Sequence, residues 1–148
     1  MKRHRFEVSI RIWHPSINPE EISNNLGVVP RVARMAGADR STPSGRPLAG
    51  ANRETFWSYR CPAVAEGGLA GAVGYCLEVI DVAEPFVRAL IASGGRIELF
   101  VGWFCSGNCG DVLDSPSLGR LGRLGVNLSF DVYAPDSQSN LAPKGGPS

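Results

Sequence analysis

Lysine, histidine and long apolar runs are scarce in this chain. Lys2 and Lys144 are the only lysines among 15 basic side chains, and 14 acidic ones bring the net charge to +1. A balance so close to neutral excludes a global attraction to nucleic acid or to an anionic membrane. His4 and His14 are the only histidines, so few groups can move protons near neutral pH without help from their surroundings. The longest apolar run, Leu99–Cys105, is interrupted by Gly102 and is too short to span a bilayer. Met1–Arg5 is basic, but the residues after it alternate rather than forming a continuous apolar segment, so no secretory leader is expected. The expected location is therefore a reducing cytoplasm, with the four cysteines as free thiols unless they hold metal. No phosphate loop is present, because the glycine-rich stretches lack a following Lys-Ser/Thr.

What the chain does have is alternation. Phe6–Trp13, Ile97–Phe104 and Val126–Tyr133 alternate apolar and polar residues with period two. Strand side chains point to alternate faces. One face of a sheet then collects Phe6, Val8, Ile10, Ile12, Ile97, Leu99, Val101, Val126, Leu128, Phe130 and Val132. The other collects Glu7, Ser9, Arg11, Trp13, Glu98, Phe100, Phe104, Asn127, Ser129, Asp131 and Tyr133. The first face should be dry and the second largely uncovered. At 148 residues, 43% hydrophobic and 20% charged, the composition is that of one ordinary globular domain.

Between the strands, Asn18-Pro19-Glu20-Glu21 reads as a helix start, with Asn18 as cap, Pro19 in the first turn and Gly27 as the stop. The two glutamates there serve the helix dipole rather than forming a catalytic pair. Residues 31–54 are rich in Gly, Pro and Arg and are expected to form a flexible loop with a short strand near Arg31–Met35. Thr55–Cys61 is rich in strand formers and ends at Pro62, which predicts a strand near an edge. Gly67, Gly68, Gly71 and Gly74 weaken any helix over that stretch. The helical stripe Leu77, Ile80, Ala83, Val87, Leu90, Ile91 predicts a helix over Leu77–Ser93, kinked or restarted at Pro85. Ser115-Pro116 opens another helix that Gly125 ends. Residues 134–148 are polar, Pro/Gly-rich and aperiodic, a disordered tail by composition. The expected fold is one α+β domain over residues 1–133. It has a mixed or antiparallel sheet of four to five strands with helices on one face, a two-layer sandwich related to ferredoxin-like folds.

Taken in order, several motifs resemble a known family. They are Trp13-His14-Pro15, then Asn18-Pro19-Glu20-Glu21-Ile22, Leu26-Gly27, Pro30, Gly37, Arg40 and Trp57. Gly95 with Glu98-Leu99, then Leu121, Leu124-Gly125-Val126 and Asp131-Val132-Tyr133, complete the set. Together they resemble the bacterial domain of unknown function 4279 family over residues 6–133. That resemblance implies no assigned reaction, cofactor or catalytic residues, so it transfers no site.

The residues offer few chemical constellations. Cys105-Ser-Gly-Asn-Cys109 with Cys61 and Cys76 is a possible zinc set, but the spacing lacks a second close pair, so no metal or other cofactor is expected. His14, at a strand end before a helix cap, reads as a structural hydrogen-bonding residue rather than part of a triad. The remaining resource is aromatic and cationic: Trp13, Trp57, Tyr59, Phe100, Phe104 and Tyr133, with Arg31, Arg34, Arg40, Arg46, Arg53 and Arg60 in the arginine-rich stretch. Residues 1–60 carry ten basic and five acidic side chains, against five and nine in residues 61–148. The sequence therefore points to contact rather than catalysis, with Arg11, Trp13, His14, Arg34, Arg40, Trp57, Asp131 and Tyr133 as candidate binding residues. The first expectation is a protein partner, in an immunity-type or regulatory role, or a second copy of the chain. The second is an anionic small ligand held between the arginine-rich loop and the sheet by Arg34, Arg40, Trp57 and Asp131, as a sensor or enzyme. An RNA platform ranks third, since Glu7, Glu98 and Asp131 share the face. Asp131 and Arg11 are expected to pair if the first and last strands are neighbours.

Overall fold

The computed structural model describes residues 4–62 and 68–134; residues 135–148 of the tail expected over 134–148, and Gly67, lie outside the described residues. In chain order the elements are β1 (His4–His14), α1 (Pro19–Leu26), β2 (Val32–Arg34), β3 (Asp39–Ser41), β4 (Pro47–Ala51) and β5 (Thr55–Arg60). There follow α2 (Gly68–Asp81), α3 (Glu84–Ala92), β6 (Arg96–Cys105), α4 (Ser115–Leu124) and β7 (Val126–Tyr133). Five strands form one mixed sheet in the order β2-β5-β1-β6-β7, and β3 pairs with β4 in a separate two-stranded sheet. The α+β sandwich expected from the alternation is the observed fold.

β1 is the longest strand and lies at the centre, antiparallel to both β5 and β6. Its register places Val8 opposite Val101, Ile10 opposite Leu99 and Ile12 opposite Ile97, so the apolar parity of both strands falls on one face. β6 and β7 run parallel, which requires a crossover, and α4 supplies it. The helices bury their stripes on this face: Ile22 and Leu26 of α1, Val73, Leu77 and Ile80 of α2, Val87 and Leu90 of α3, Leu121 and Leu124 of α4. The caps behave as their residue types dictate. Asn18 Oδ1 accepts from the Glu20 amide at 2.9 Å, and Gly27 ends α1 at φ 71°. Asp114 caps α4 through the Ser117 amide at 3.0 Å, and Gly125 ends it at φ 74°.

Several expectations change. β6 separates β1 from β7, so Asp131 and Arg11 are not cross-strand partners. Asp131 instead stands opposite Gly102 and accepts from Tyr133, while Arg11 lies opposite Glu98. The loop expected over 31–54 holds the β3–β4 hairpin besides the anticipated short strand β2, because turn residues at Pro43 and Gly45 reverse the chain rather than leaving it irregular. β5 does lie near an edge as expected, second in the sheet with only the short β2 outside it. α2 starts at Gly68 despite its glycines. Leu69, Val73, Cys76, Leu77 and Ile80 all sink into the core, and that burial outweighs a penalty of about 1 kcal/mol per glycine. At Pro85 the chain restarts as α3 rather than kinking. Phe130 and Val132, assigned to the dry face, are 48% and 60% exposed, because the helix layer stops short of the far end of β7.

The cysteines are not free thiols, and they do not gather as a zinc set. Cys61 pairs with Cys76 across a Cα separation of 6.5 Å, and Cys105 with Cys109 across 6.3 Å, both within disulfide reach. One bridge ties the end of β5 to α2 and the other closes the loop after β6. The free-thiol argument for a reducing compartment therefore falls away. No helix among the described residues is long and apolar enough to cross a membrane.

Candidate functional site

The parity that buries Ile10 and Leu99 sends Arg5, Glu7, Arg11 and Trp13 of β1 to the opposite face, with Phe100 and Phe104 of β6. β5 adds Phe56 and Arg60, β2 adds Arg34, and β7 adds Asp131 and Tyr133. Arginine and aromatic side chains meet across the strands. The Arg11 guanidinium carbon lies 3.6 Å from the Phe100 ring centre, Arg5 4.3 Å from Phe104, Arg96 4.7 Å from Trp13 and Arg34 5.5 Å from Phe56. Each such contact contributes about 0.5–1 kcal/mol at an exposed site. Phe104 also stacks on Tyr133 with centroids 4.7 Å apart and planes at 10°. Of the rings expected to stand bare, Trp13, Phe100 and Phe104 thus each carry a guanidinium over the ring, which leaves less free ring face for stacking on bases.

Carboxylates complete the pattern. Glu7 bridges Arg5 at 3.5 Å and Arg60 at 2.5 Å, Glu98 stands 3.9 Å from Arg11, and Glu54 stands 3.6 Å from Arg96. Tyr133 donates to Asp131 at 2.5 Å, and that hydrogen bond to a carboxylate, more than burial, raises the phenol above its ordinary pKa. Glu7, Ser9, Arg11, Arg31, Arg60, Phe100, Gly102, Phe104 and Tyr133 line a shallow hollow of about 180 Å³ in the middle of the face.

A larger hollow of about 510 Å³ opens where the β3–β4 hairpin meets the sheet, lined by Trp13, Arg34, Arg40, Ala51, Asn52, Arg53, Glu54 and Phe56. The hairpin is fixed beside the sheet at its base. Asn52 exchanges backbone bonds with Gly37 and Ala38, and its side-chain amide donates to the Met35 carbonyl at 3.1 Å. Arg40 donates to the Ala49 carbonyl at 3.0 Å across the hairpin.

Of the candidates, Arg34 and Arg40 do meet in this hollow with Trp13, whereas Arg11, Asp131 and Tyr133 lie further along the face. Trp57 belongs elsewhere. It is fully buried on the helix side, opposite Ile12, and its indole N–H donates to Ser23 Oγ at 2.9 Å. Tyr59 follows it onto that side, packed against the core, where burial and then its hydrogen bond to Tyr75 raise its pKa. His14 is structural: its Nδ1 accepts from the Ser16 and Ile17 amides at 3.0 and 2.9 Å, and Nε2 meets Ser93 Oγ at 2.9 Å. Phe56, Glu54 and Arg96 escaped the sequence reading. For Phe56 the signal was present, because a buried Trp57 turns its neighbour outward. No cluster of three or more metal-ligating side chains occurs among the described residues.

A five-stranded sheet with helices on one face and an arginine–aromatic lattice on the other defines an α+β sandwich with one open face. The model of the family described as Domain of unknown function (DUF4279) matches residues 4–135, and the chain belongs to that family. No curated protein and no solved structure matches the chain.

Proposed function

We propose that the protein is a non-catalytic binding module that engages an acidic protein partner through the open face of its sheet. The observation that carries this reading is the set of arginines laid on aromatic rings across the strands. A guanidinium held over a ring still has N–H groups to offer carboxylates, and the ring beneath limits the side-chain freedom lost on binding. Arg5, Arg11, Arg34, Arg60 and Arg96 outnumber Glu7, Glu54, Glu98 and Asp131 on this face by one, which favours a negatively charged partner. The same carboxylates weigh against nucleic acid. An immunity-type or regulatory partner is the setting that suits a small module of this kind.

The test is capture of partners from the native host by the parent protein and by an Arg11→Glu variant, over a range of salt. A species retained by the parent, released by salt and lost with Arg11→Glu supports the reading. Recovery of nothing beyond the chain itself at every salt concentration, or equal capture by both proteins, overturns it. A cytoplasmic setting belongs to this proposal too, and a reducing cytosol would hold Cys61, Cys76, Cys105 and Cys109 as thiols. Acid-quenched alkylation in host cells decides: intact disulfides there remove the cytoplasm from the reading.

A further inference from the structure

We propose that the hollow between the β3–β4 hairpin and the sheet binds a small dianion carrying a planar ring, the chemistry of a nucleoside monophosphate. Three arginines from separate segments converge on it: Arg34 at the end of β2, Arg40 in β3, and Arg53 in the turn between β4 and β5. None of the three forms an ion pair with a carboxylate among the described residues. The one acid in the lining, Glu54, faces Arg96 at 3.6 Å. Concave surfaces lined by one sign of charge focus the field and concentrate a counter-ion. A phosphate monoester carries about −1.5 to −2 at neutral pH and offers several acceptor oxygens to guanidinium forks.

Part of the lining is aromatic. Trp13 and Phe56 are cross-strand neighbours with ring centroids 5.4 Å apart. Arg96 stands 4.7 Å from the Trp13 centre and Arg34 5.5 Å from the Phe56 centre, and a planar group would pack on the ring surface these guanidinium groups leave free. A volume of about 510 Å³ falls within the range typical of small-molecule sites. The hollow shares Arg34 and Trp13 with the margin of the partner face, but Arg11 lies outside the hollow and Arg40 and Arg53 lie outside the partner set, so variants at these residues let either proposal fail without the other.

The experiment uses the whole chain, with thermal shift and calorimetry at low salt. The probes are the nucleoside 5′-monophosphates, with inorganic phosphate and free nucleoside as separate arms. The expected result is a melting temperature that rises with monophosphate concentration as mass action requires, with phosphate and nucleoside each binding more weakly. Arg40 and Arg53 are both exposed, so a double variant carrying Arg40→Gln and Arg53→Gln should fold as the parent does. It should bind the monophosphate roughly tenfold or more weakly, as loss of charge-assisted bonds implies. No shift with any monophosphate at millimolar concentration overturns the proposal, and so does unchanged binding by the double variant. Phosphate binding as tightly as the monophosphates overturns the role of the aromatic wall, and free nucleoside binding as tightly overturns the role of the arginines.

Discussion

Trp57 offers the sharpest check on the separation of core from contact surface. Its side chain has no exposed area, and its one polar atom donates to Ser23 Oγ at 2.9 Å. Trp57→Ala removes a ring that packs between β5 and the helix layer, and truncations of this kind cost about 3–5 kcal/mol. That is a large part of the roughly 5–15 kcal/mol available to a domain, so the gentler Trp57→Phe variant keeps the experiment interpretable. Trp57→Phe loses the indole N–H and part of the ring. Ser23 Oγ still reaches the Pro19 carbonyl at 3.4 Å, so the lost hydrogen bond is worth only about 0.5–1.5 kcal/mol. Urea melts of the parent, Trp57→Phe, Ser23→Ala and the double variant complete a cycle whose coupling energy should fall in that same range. The denaturant slope should stay constant throughout, as expected when stability alone changes. A Trp57→Ala protein within about 1 kcal/mol of the parent, but impaired in binding, would refute the placement of this ring in the core.

Other consequences follow from the same geometry. Gly74 lies inside α2, at ordinary helical φ, and an added Cβ meets nothing within 4 Å. Gly74→Ala should therefore raise stability by about 0.5–1 kcal/mol in chemical melts, and a loss would show that the backbone at α2 is not the helix described. The Cys61–Cys76 bridge spans 15 residues and the Cys105–Cys109 bridge spans 4. Loop-closure entropy gives about 3 kcal/mol for the first and about 2 kcal/mol for the second. Selective replacement of each pair, melted with and without reductant, should reproduce that order. Asp114 is held below its ordinary pKa chiefly by the Ser117 amide. Its contribution is complete above the unfolded carboxylate's pKa and fades as pH falls through the lower folded value, so Asp114→Asn should flatten the acid limb of a pH–stability profile while still capping α4. Asp131→Asn should bring the Tyr133 phenol back toward its ordinary value in an ultraviolet titration, and an unchanged titration would mean that the two do not share a proton.

The sandwich was legible because its signals are local and periodic. Alternation over residues 6–13 and 97–104 assigns faces before any contact is known, and the caps at Asn18 and Gly125 state their helix ends in a few residues. What the sequence hid depends on distant pairing. Nothing near Cys61 names Cys76, and a composition argument about compartments stood in for geometry there. β1 and β7 share parity, but strand order is set by crossovers, and β6 takes the place between them. The glycines of α2 advertise weakness through propensity alone, while the stripe from Leu69 to Ile80 needs the sheet beneath it to count.

The hollow shows the same division in a single site. Arg34 and Arg40 were visible as candidates because arginine is conspicuous in a Gly/Pro-rich stretch. Their meeting with Trp13 and Phe56 was not visible, because it depends on the hairpin folding back through Asn52, whose amide reaches the Met35 carbonyl 17 residues away. Without that bond the base of the hairpin that carries Arg40 keeps the backbone bonds of Asn52 with Gly37 and Ala38 but loses its side-chain tie to Met35, and a two-stranded ribbon is only marginally stable by itself in water. Asn52→Ala keeps the arginine content while loosening arginine placement, and because Asn52 itself lines the hollow it also removes one polar group of the site. It leaves every guanidinium in the chain and should still weaken monophosphate binding, while the core around Trp57 melts as before. Binding equal to the parent's would mean that charge alone, and not the geometry of the hairpin, makes the site.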